Sequence, residues 1–311
     1  MTGGSRGGLR VALFIDGADW HARRLAAALR AEGAEVVRTS LTRCRFDTGH
    51  PFGLAVPGFA DSLPDGVFVR TIAAGTFEAV TLRLGLLHAL VAEGVPVWNS
   101  PRAIEACVDK AQTTWRLARA GVPTPPTFAL EGREAAAEIV AAEAAAGHRT
   151  VLKPLFGSQG KALRLIAEPD ALPPPEDVAG VYYLQRYVGA EAGWHDHRVL
   201  VAAGRALAAM TRRGETWITN IRQGAAAEAW EAGEEAERLA VAAAAAVGAD
   251  YAGVDLIRDR DGALQVLEVN SMPAWNGLQG VTAGDLTTAL VRDFLAAVVR
   301  ARGLAPRVVA P

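Results

Sequence analysis

Three sets of residues in this 311-residue chain combine a reactive type with a telling spacing. The first is Asp255, Glu268 and Asn270. Asp261-Gly262 between them is a strong two-residue hairpin signal, and a turn on those residues pairs Arg260 with Ala263 and sets Asp255 opposite Glu268. Opposed carboxylates repel each other. A bound cation reverses that sign, and Asn270 lies two residues from Glu268, shares its face and offers a third oxygen. Such a set suits Mg²⁺ or Mn²⁺; the alternative is a hairpin whose charged face is merely solvated. The second set is the lysines. The 32 basic residues comprise 29 Arg and only Lys110, Lys153 and Lys161. A lysine kept in so arginine-rich a chain fits a place that needs a compact ammonium on a flexible stem, with chance clustering as the alternative. Lys153 ends an apolar strand and precedes Gly157-Ser158-Gln159-Gly160, where glycines let backbone N–H groups close around phosphate oxygens. This is not a Walker A loop, because Ala162 stands where that motif needs Ser or Thr. The third set is His195-Asp196-His197. On a strand the two histidines share one face and Asp196 takes the other; with no third zinc-type ligand nearby they read as polar strand residues.

The elements that must position these residues follow from the apolar patterning. Residues 9–15 read as a strand, 20–32 as a helix stopped at Gly33, 67–70 as a strand, 81–93 as a helix and 96–99 as a strand, an alternation that predicts a parallel α/β sheet. The turn after the first strand lacks G-x-G-x-x-G, which speaks against a dinucleotide site there. Further on, helices are expected at 102–107, 110–120, 133–146, 229–247 and 284–300. Strands are expected at 150–153, 162–166, 181–188, 197–202, 206–212, 251–260 and 263–270, with a proline- and acid-rich loop at 169–177. Half the residues are hydrophobic and 21% charged, an ordinary globular balance, and the length predicts about two domains. A net charge of −2 gives no support to a nucleic-acid footprint or a polybasic membrane anchor. Cys44 and Cys107 make neither a disulfide framework nor a metal cluster and read as packing residues in a reducing compartment. Residues 1–8 have no apolar core and no run reaches the ~18 apolar residues of a membrane span, so a soluble, cytoplasmic protein is expected.

Three ordered motifs carry a family resemblance. They are Asp109-Lys110 opening a helix that ends Arg119-Ala120-Gly121-Val122-Pro123-Thr124-Pro125, then Leu152-Lys153-Pro154-Leu155-Phe156-Gly157-Ser158-Gln159-Gly160, then Leu267-Glu268-Val269-Asn270. Over roughly residues 95–300 the chain resembles the ATP-grasp ligases, most of all the ribosomal-protein-S6-modification-type glutamate ligases. The resemblance implies an α/β fold with a Rossmann-like parallel unit followed by two α+β subdomains gripping ATP. The segments would be a flexible N-terminus at 1–8, an N-terminal domain at 9–100, a central lid at 101–184, a C-terminal subdomain with the metal site at 185–303, and a tail at 304–311. It implies Lys110 and Lys153 as phosphate lysines and Gly157, Ser158, Gln159 and Gly160 as the phosphate-covering loop. Gln185, Arg186 and Tyr187 would form the adenine hinge, with Asp196 toward the ribose and Asn220 toward the phosphates. Asp255, Glu268 and Asn270 would hold Mg²⁺ or Mn²⁺, two ions in all. Arg186 stands where an acidic residue is common, and Ile218 where an arginine is common.

The implied reaction is ADP-forming amide synthesis. A carboxylate carbon is a poor electrophile, and phosphorylation by ATP makes an acyl phosphate that an amine can attack. Cations must neutralise the transferring phosphoryl group and the developing oxyanion. Arg222, in Thr219-Asn220-Ile221-Arg222-Gln223-Gly224, and then Arg198 are the expected catalytic cations. Arg212 and Arg213 adjoin, so only one of them can face the site from a strand. Trp275 reads equally as a border of the second substrate or as a core anchor. The expected substrates are a small carboxylate and an amine, with L-glutamate or a similar amino acid added to a metabolite, a cofactor precursor such as a pterin or methanofuran-like carrier, or a peptide end. Self-association stays open. The competing readings are an ATP-binding regulatory module without turnover and a kinase-like phosphotransferase.

Overall fold

The apolar run after Leu9 forms β1 (Arg10–Phe14), buried at four of its five positions. This is a computed structural model, and it describes residues 8–157, 162–189 and 193–303. Ser158, Gln159, Gly160 and Lys161 lie outside the described residues, as does the side chain of Arg222. After β1 comes α1 (Trp20–Ala31), whose N-cap Asp19 accepts from the Ala22 amide. Its buried residues His21, Ala22, Leu25, Ala26 and Leu29 recur at helical spacing. β2 (Glu35–Thr39), the short ribbon β3 (Arg45–Phe46) and β4 (Leu54–Ala55), β5 (Gly66–Val69), α2 (Phe77–Ala92) and β6 (Val97–Trp98) complete the first unit. Its sheet is parallel throughout, in the order β2-β1-β5-β6. Helix α2 starts four residues earlier than the apolar spacing indicates, because the Thr76 side chain caps it by accepting from the Ala79 amide.

α3 (Pro101–Val108) and α4 (Lys110–Arg119) lead to a second sheet of β7 (Thr127–Glu131), β8 (Thr150–Lys153), β9 (Arg164–Ile166) and β10 (Val181–Arg186), with α5 (Arg133–Ala145) against it. Its order is β7-β10-β8-β9, antiparallel. The third sheet contains β11 (Trp194–Ala202), β12 (Arg205–Gly214), β13 (Ala226–Ala229), β14 (Tyr251–Arg258) and β15 (Leu264–Asn270), in the order β13-β12-β11-β14-β15. Between β13 and β14 lies α6 (Gly233–Val247), and the described chain closes with α7 (Asn276–Gly280) and α8 (Leu286–Ala301). The alanine-rich stretch read as one helix over 229–247 is therefore two elements. Ala226–Ala229 pairs as an edge strand on β12, and the helix begins at Gly233, with Glu234 and Glu235 in its first turn complementing the helix dipole.

The first and third sheets share one core. Val11, Leu13, Phe68 and Trp98 of the first unit pack with Leu200, Met210 and Tyr251 of the third sheet and with Leu290, Phe294 and Val298 of α8. α8 approaches β5 so closely that a β-carbon on Gly66 would stand 2.4 Å from Val298 Cγ2, which is why that position carries no side chain. The opposite face of the third sheet holds α3, α4 and α6 through Ala106, Leu117, Leu239 and Val247. Each fully buried Leu or Val here contributes roughly 1.5–3 kcal/mol. Among the described residues, no helix is long and apolar enough to cross a membrane.

Candidate active site

The facing edges of the second and third sheets enclose a cleft. Lys153, Gln185, Asp196, Arg198, Arg212, Asn220, Asp255, Glu268 and Asn270 all line it. The hairpin that brings Asp255 and Glu268 together differs from the predicted one. Asp259, not Asp261-Gly262, organises the turn: its Oδ1 accepts from the amides of Asp261 and Ala263, and its Oδ2 from Gln265 Nε2. Arg258 pairs with Leu264, and a bulge between Asp255 and Leu256 then restores the expected juxtaposition, Asp255 opposite Glu268. The bulge compensates the longer turn, so the two carboxylates meet as expected although the turn does not.

The electrostatics of the cleft form an alternating chain. Arg212, 4% exposed, grips Asp196 through Nε–Oδ1 at 2.6 Å and Nη2–Oδ2 at 2.5 Å, and its Nη2 lies 3.0 Å from Asp255 Oδ2. Arg198 takes both oxygens of Asp255 at 2.7 Å. Asn270, with its amide oriented to suit both neighbours, accepts from Arg198 Nη2 at 3.3 Å and donates to Glu268 Oε1 at 3.2 Å. Burial pushes the Asp255 carboxyl up, but the Arg198 and Arg212 guanidiniums outweigh it and hold it below the ordinary carboxylate range. Thr219 Oγ1 donates to Asp196 Oδ2 at 2.6 Å, so the Asp196 carboxylate, expected toward a ribose, is engaged by an arginine and a hydroxyl. Arg213 turns outward to an exposed pair with Glu228, so Arg212 is the one that faces the site.

Glu268 stands apart. Its field reaches the ammonium groups of Lys110 and Lys153, the Cys107 thiol and the Tyr183 phenol. Lys110 opens α4 and donates to Gly157 O at 2.8 Å; Lys153 ends β8 and donates to Gln185 Oε1 at 2.6 Å. Two lysines from different elements thus address one carboxylate. Burial lowers the pKa of Lys153 to about 8, partly offset by Glu268, with Lys110 lowering it further. Burial also lowers that of Lys110.

The hinge residues play parts that the sequence did not announce. Gln185 is buried and bridges Lys153 to Thr127 Oγ1, through Nε2 at 3.1 Å. Arg186, at a position where acid is common, finds its counterion on α5: Nε and Nη2 meet Glu143 at 2.7 and 2.9 Å. The amides of Arg186 and Tyr187 are taken by Pro126 O and Arg149 O. Asn220 lines the cleft, and Arg222 lies in the short 3₁₀ turn Ile221–Gln223.

Several residues settle as structural. Trp275 is fully buried, its amide donating to His21 Nε2 and its indole Nε1 to Thr287 Oγ1, and is a core anchor. His197 stacks on Trp230 with centroids 3.9 Å apart and bonds Thr211; burial drops its pKa to about 4, so it is a neutral packing residue at ordinary pH. The buried thiols of Cys44 and Cys107 are raised to about 11 and about 12, chiefly by desolvation. Sequence reasoning missed Asn99. Completely buried, it donates to the carbonyls of Tyr251 and Ser271 and accepts from the amides of Asp250 and Tyr251. It thereby fixes the residue after Asn270. No local pattern marks it, because all its partners lie about 150 or more positions away.

The chain is similar to known proteins over most of its length. A family model described as a RimK-like ATP-grasp domain matches residues 107–294. Among curated relatives, the tetrahydromethanopterin:alpha-L-glutamate ligase of Methanosarcina acetivorans is 30% identical over 307 residues, covering 85% of this chain and 92% of its own. A probable alpha-L-glutamate ligase of Pseudoalteromonas translucida is 31% identical, covering 92% and 94%. Among solved structures, the ATP-grasp ligase PsnB complexed with minimal precursor, Mg and ADP matches with a TM-score of 0.71 at 25% identity, over 93% of this chain and 96% of that one. D-alanine–D-alanine ligase from Bacillus anthracis, complexed with ATP, matches in fold with a TM-score of 0.64 at 16% identity, over 95% and 99%.

Proposed function

We propose that this chain, which belongs to the RimK-like ATP-grasp family of ATP-dependent carboxylate–amine ligases, adds L-glutamate through its amine to a carboxylate of a small acceptor, of which a pterin-type cofactor precursor is the best supported. The observation that carries the site assignment is one cleft lined together by Lys153, Asp255, Glu268 and Asn270, with the charge of Glu268 also felt by Lys110. Glutamate and the pterin acceptor rest on the names of the curated relatives.

In this reading Lys110 and Lys153 hold the nucleotide phosphates beside Gly157, and Tyr187 borders the base. Gln185 acts on the phosphates through Lys153, by holding its ammonium in place. Glu268, Asn270 and Asp255 would hold the divalent cations, Mg²⁺ or Mn²⁺, two in number. The donor set fits: Glu268 keeps acceptor capacity beyond Asn270, and the Asp255 carboxylate already attracts two guanidinium groups. Bound there, such ions would supply charge neutralisation for phosphoryl transfer. For Asp255 to serve, Arg198 must loosen one of its two bonds, which leaves its guanidinium beside the activated carboxylate, where it and Arg222 stabilise the developing oxyanion. Asp196, Arg212 and Thr219 keep Asp255 in place from behind.

The deciding assay measures ADP release in the presence of L-glutamate and a panel of carboxylate acceptors, with mass analysis of the product. An amide together with ADP that requires both partners supports the reading. ADP release that leaves a phosphoryl group on the product, or nucleotide binding with no product across the panel, overturns it. Lys153 adds a pH signature. Its ammonium is charged below about pH 8 and lost above it, so kcat/KM for ATP is expected to hold level up to that point and fall beyond it. Lys153→Met should lower kcat/KM for ATP by about 10²-fold and remove that limb from the pH profile.

A further inference from the structure

Among the described residues, four arginines grip both oxygens of a carboxylate in the same way, through the fork of Nε and Nη2: Arg186 on Glu143, Arg198 on Asp255, Arg212 on Asp196 and Arg213 on Glu228. Arg70 breaks the pattern. It is 6% exposed, yet its Nε is buried without a hydrogen-bond partner, and its Nη2 lies 3.9 Å from Asp19 Oδ2, beyond hydrogen-bond reach. Its remaining hold is Nη1 on Met272 O at 3.2 Å and the Trp275 ring beneath the guanidinium. Asp19 cannot fully answer it, since its own oxygens cap α1 at Ala22 and face His21. A buried cation with an unfilled fork is costly to keep, and its cost is removed by an anion of the right shape.

The position points to the anion's source. Arg70 follows β5, and the chain leaves β1 for β2 on one side of it and for β5 on the other, so the crevice at the carboxyl ends of β1 and β5 is the switch point where α/β sheets take ligands. The loops at 15–19 and 70–76 flank it. The opposite wall of Arg70 is Met272, two residues beyond Asn270. A β-carbon on Gly253 would meet both Pro273 and Arg198, so the segment that Arg70 holds borders the arginine of the cleft.

We propose that the Arg70 fork binds a substrate carboxylate that does not react, in a subsite between the two loops, with Asp19 standing near that place in its absence. This rests on the ligase reading, and the chemistry requires only a planar carboxylate. Two sources fit: the α-carboxylate of the incoming amino acid and a second carboxylate of the acceptor.

Two measurements test it on the full-length protein. The first is calorimetric titration with glutarate, an unreactive dicarboxylate, in the presence of ADP and Mg²⁺. Arg70→Gln should weaken binding at least about 30-fold and Arg70→Lys less, with ADP affinity unchanged. This arm needs no turnover, so it stands apart from any failure of the ligase reading. Asp19→Asn, which retains a good helix cap, should bind glutarate more tightly than wild type and guards against an Arg70 variant that fails to fold. The second compares each substrate with its carboxamide at the carboxylate in question. The wild-type preference for the acid should collapse in Arg70→Gln for one of the two substrates, and that substrate is the one held. Glutarate affinity unmoved by both Arg70→Gln and Asp19→Asn, or acid-to-amide ratios unchanged for both substrates, overturns the proposal.

Discussion

Replacing Glu268 with glutamine is expected to lower ATP-dependent amide formation by about 10²- to 10³-fold while leaving the thermal midpoint within about 2 °C of wild type. The two halves of this expectation have separate causes. Glu268 is only half-buried, and its one hydrogen bond among those described, with the Asn270 amide, survives in glutamine. Its charge is a different matter. The same carboxylate acts on Lys110 and Lys153, and in the ligase reading a neutral amide in its place would hold a divalent cation far more weakly than a carboxylate does. Steady-state turnover and Mn²⁺ titration of the same preparation check it. Full turnover in the variant would remove Glu268 from the cation site.

Arg212→Met should act in the opposite way, on stability first. Among the described residues, Arg212 is the sole arginine on Asp196 and one of two on Asp255, and all three side chains are buried. Removing it strands carboxylates in a medium that solvates them poorly, a loss of about 3–5 kcal/mol. The urea midpoint should fall accordingly, with an unchanged slope. Arg213→Met, one residue away, is the internal control: its pair with Glu228 is exposed and screened by solvent, so the urea midpoint should stay at the wild-type value. Equal midpoints for the two variants would show that the buried chain does not hold the third sheet together. Adding Asp196→Asn to Arg212→Met should recover part of the loss, because it discharges one of the stranded groups.

Much of this architecture is legible in the sequence, for identifiable reasons. The parallel unit follows from its β/α alternation, and the meeting of Asp255 with Glu268 from strand periodicity. The exact hairpin escapes such reading, because Asp259 competes for the turn through side-chain hydrogen bonds and a bulge then absorbs the difference. β7 and β13 escape it too. The first is a short strand straight after prolines, and the second is an alanine-rich edge whose local preference is helical and whose strand state comes only from pairing with β12. The partners of Arg186, Gln185 and Asn99 are set by tertiary approach, which no spacing in the chain encodes.

The common core and the Asn99 bonds have a mechanical consequence. The first and third sheets cannot shift independently without tearing a shared interior, so they form one jaw, and α4 sits at its border, packed with α6 and bonded through Thr114 to Tyr183 of the second sheet. The second sheet, with its own small interior, is the other jaw. Lys153 rides on the second body, and Lys110 reaches across from α4 to Gly157 O at the end of it. Glu268 balances part of the charge of Lys110 and Lys153, and the positive excess left at this seam would let a bound nucleotide join the two bodies through the same groups that hold its phosphates.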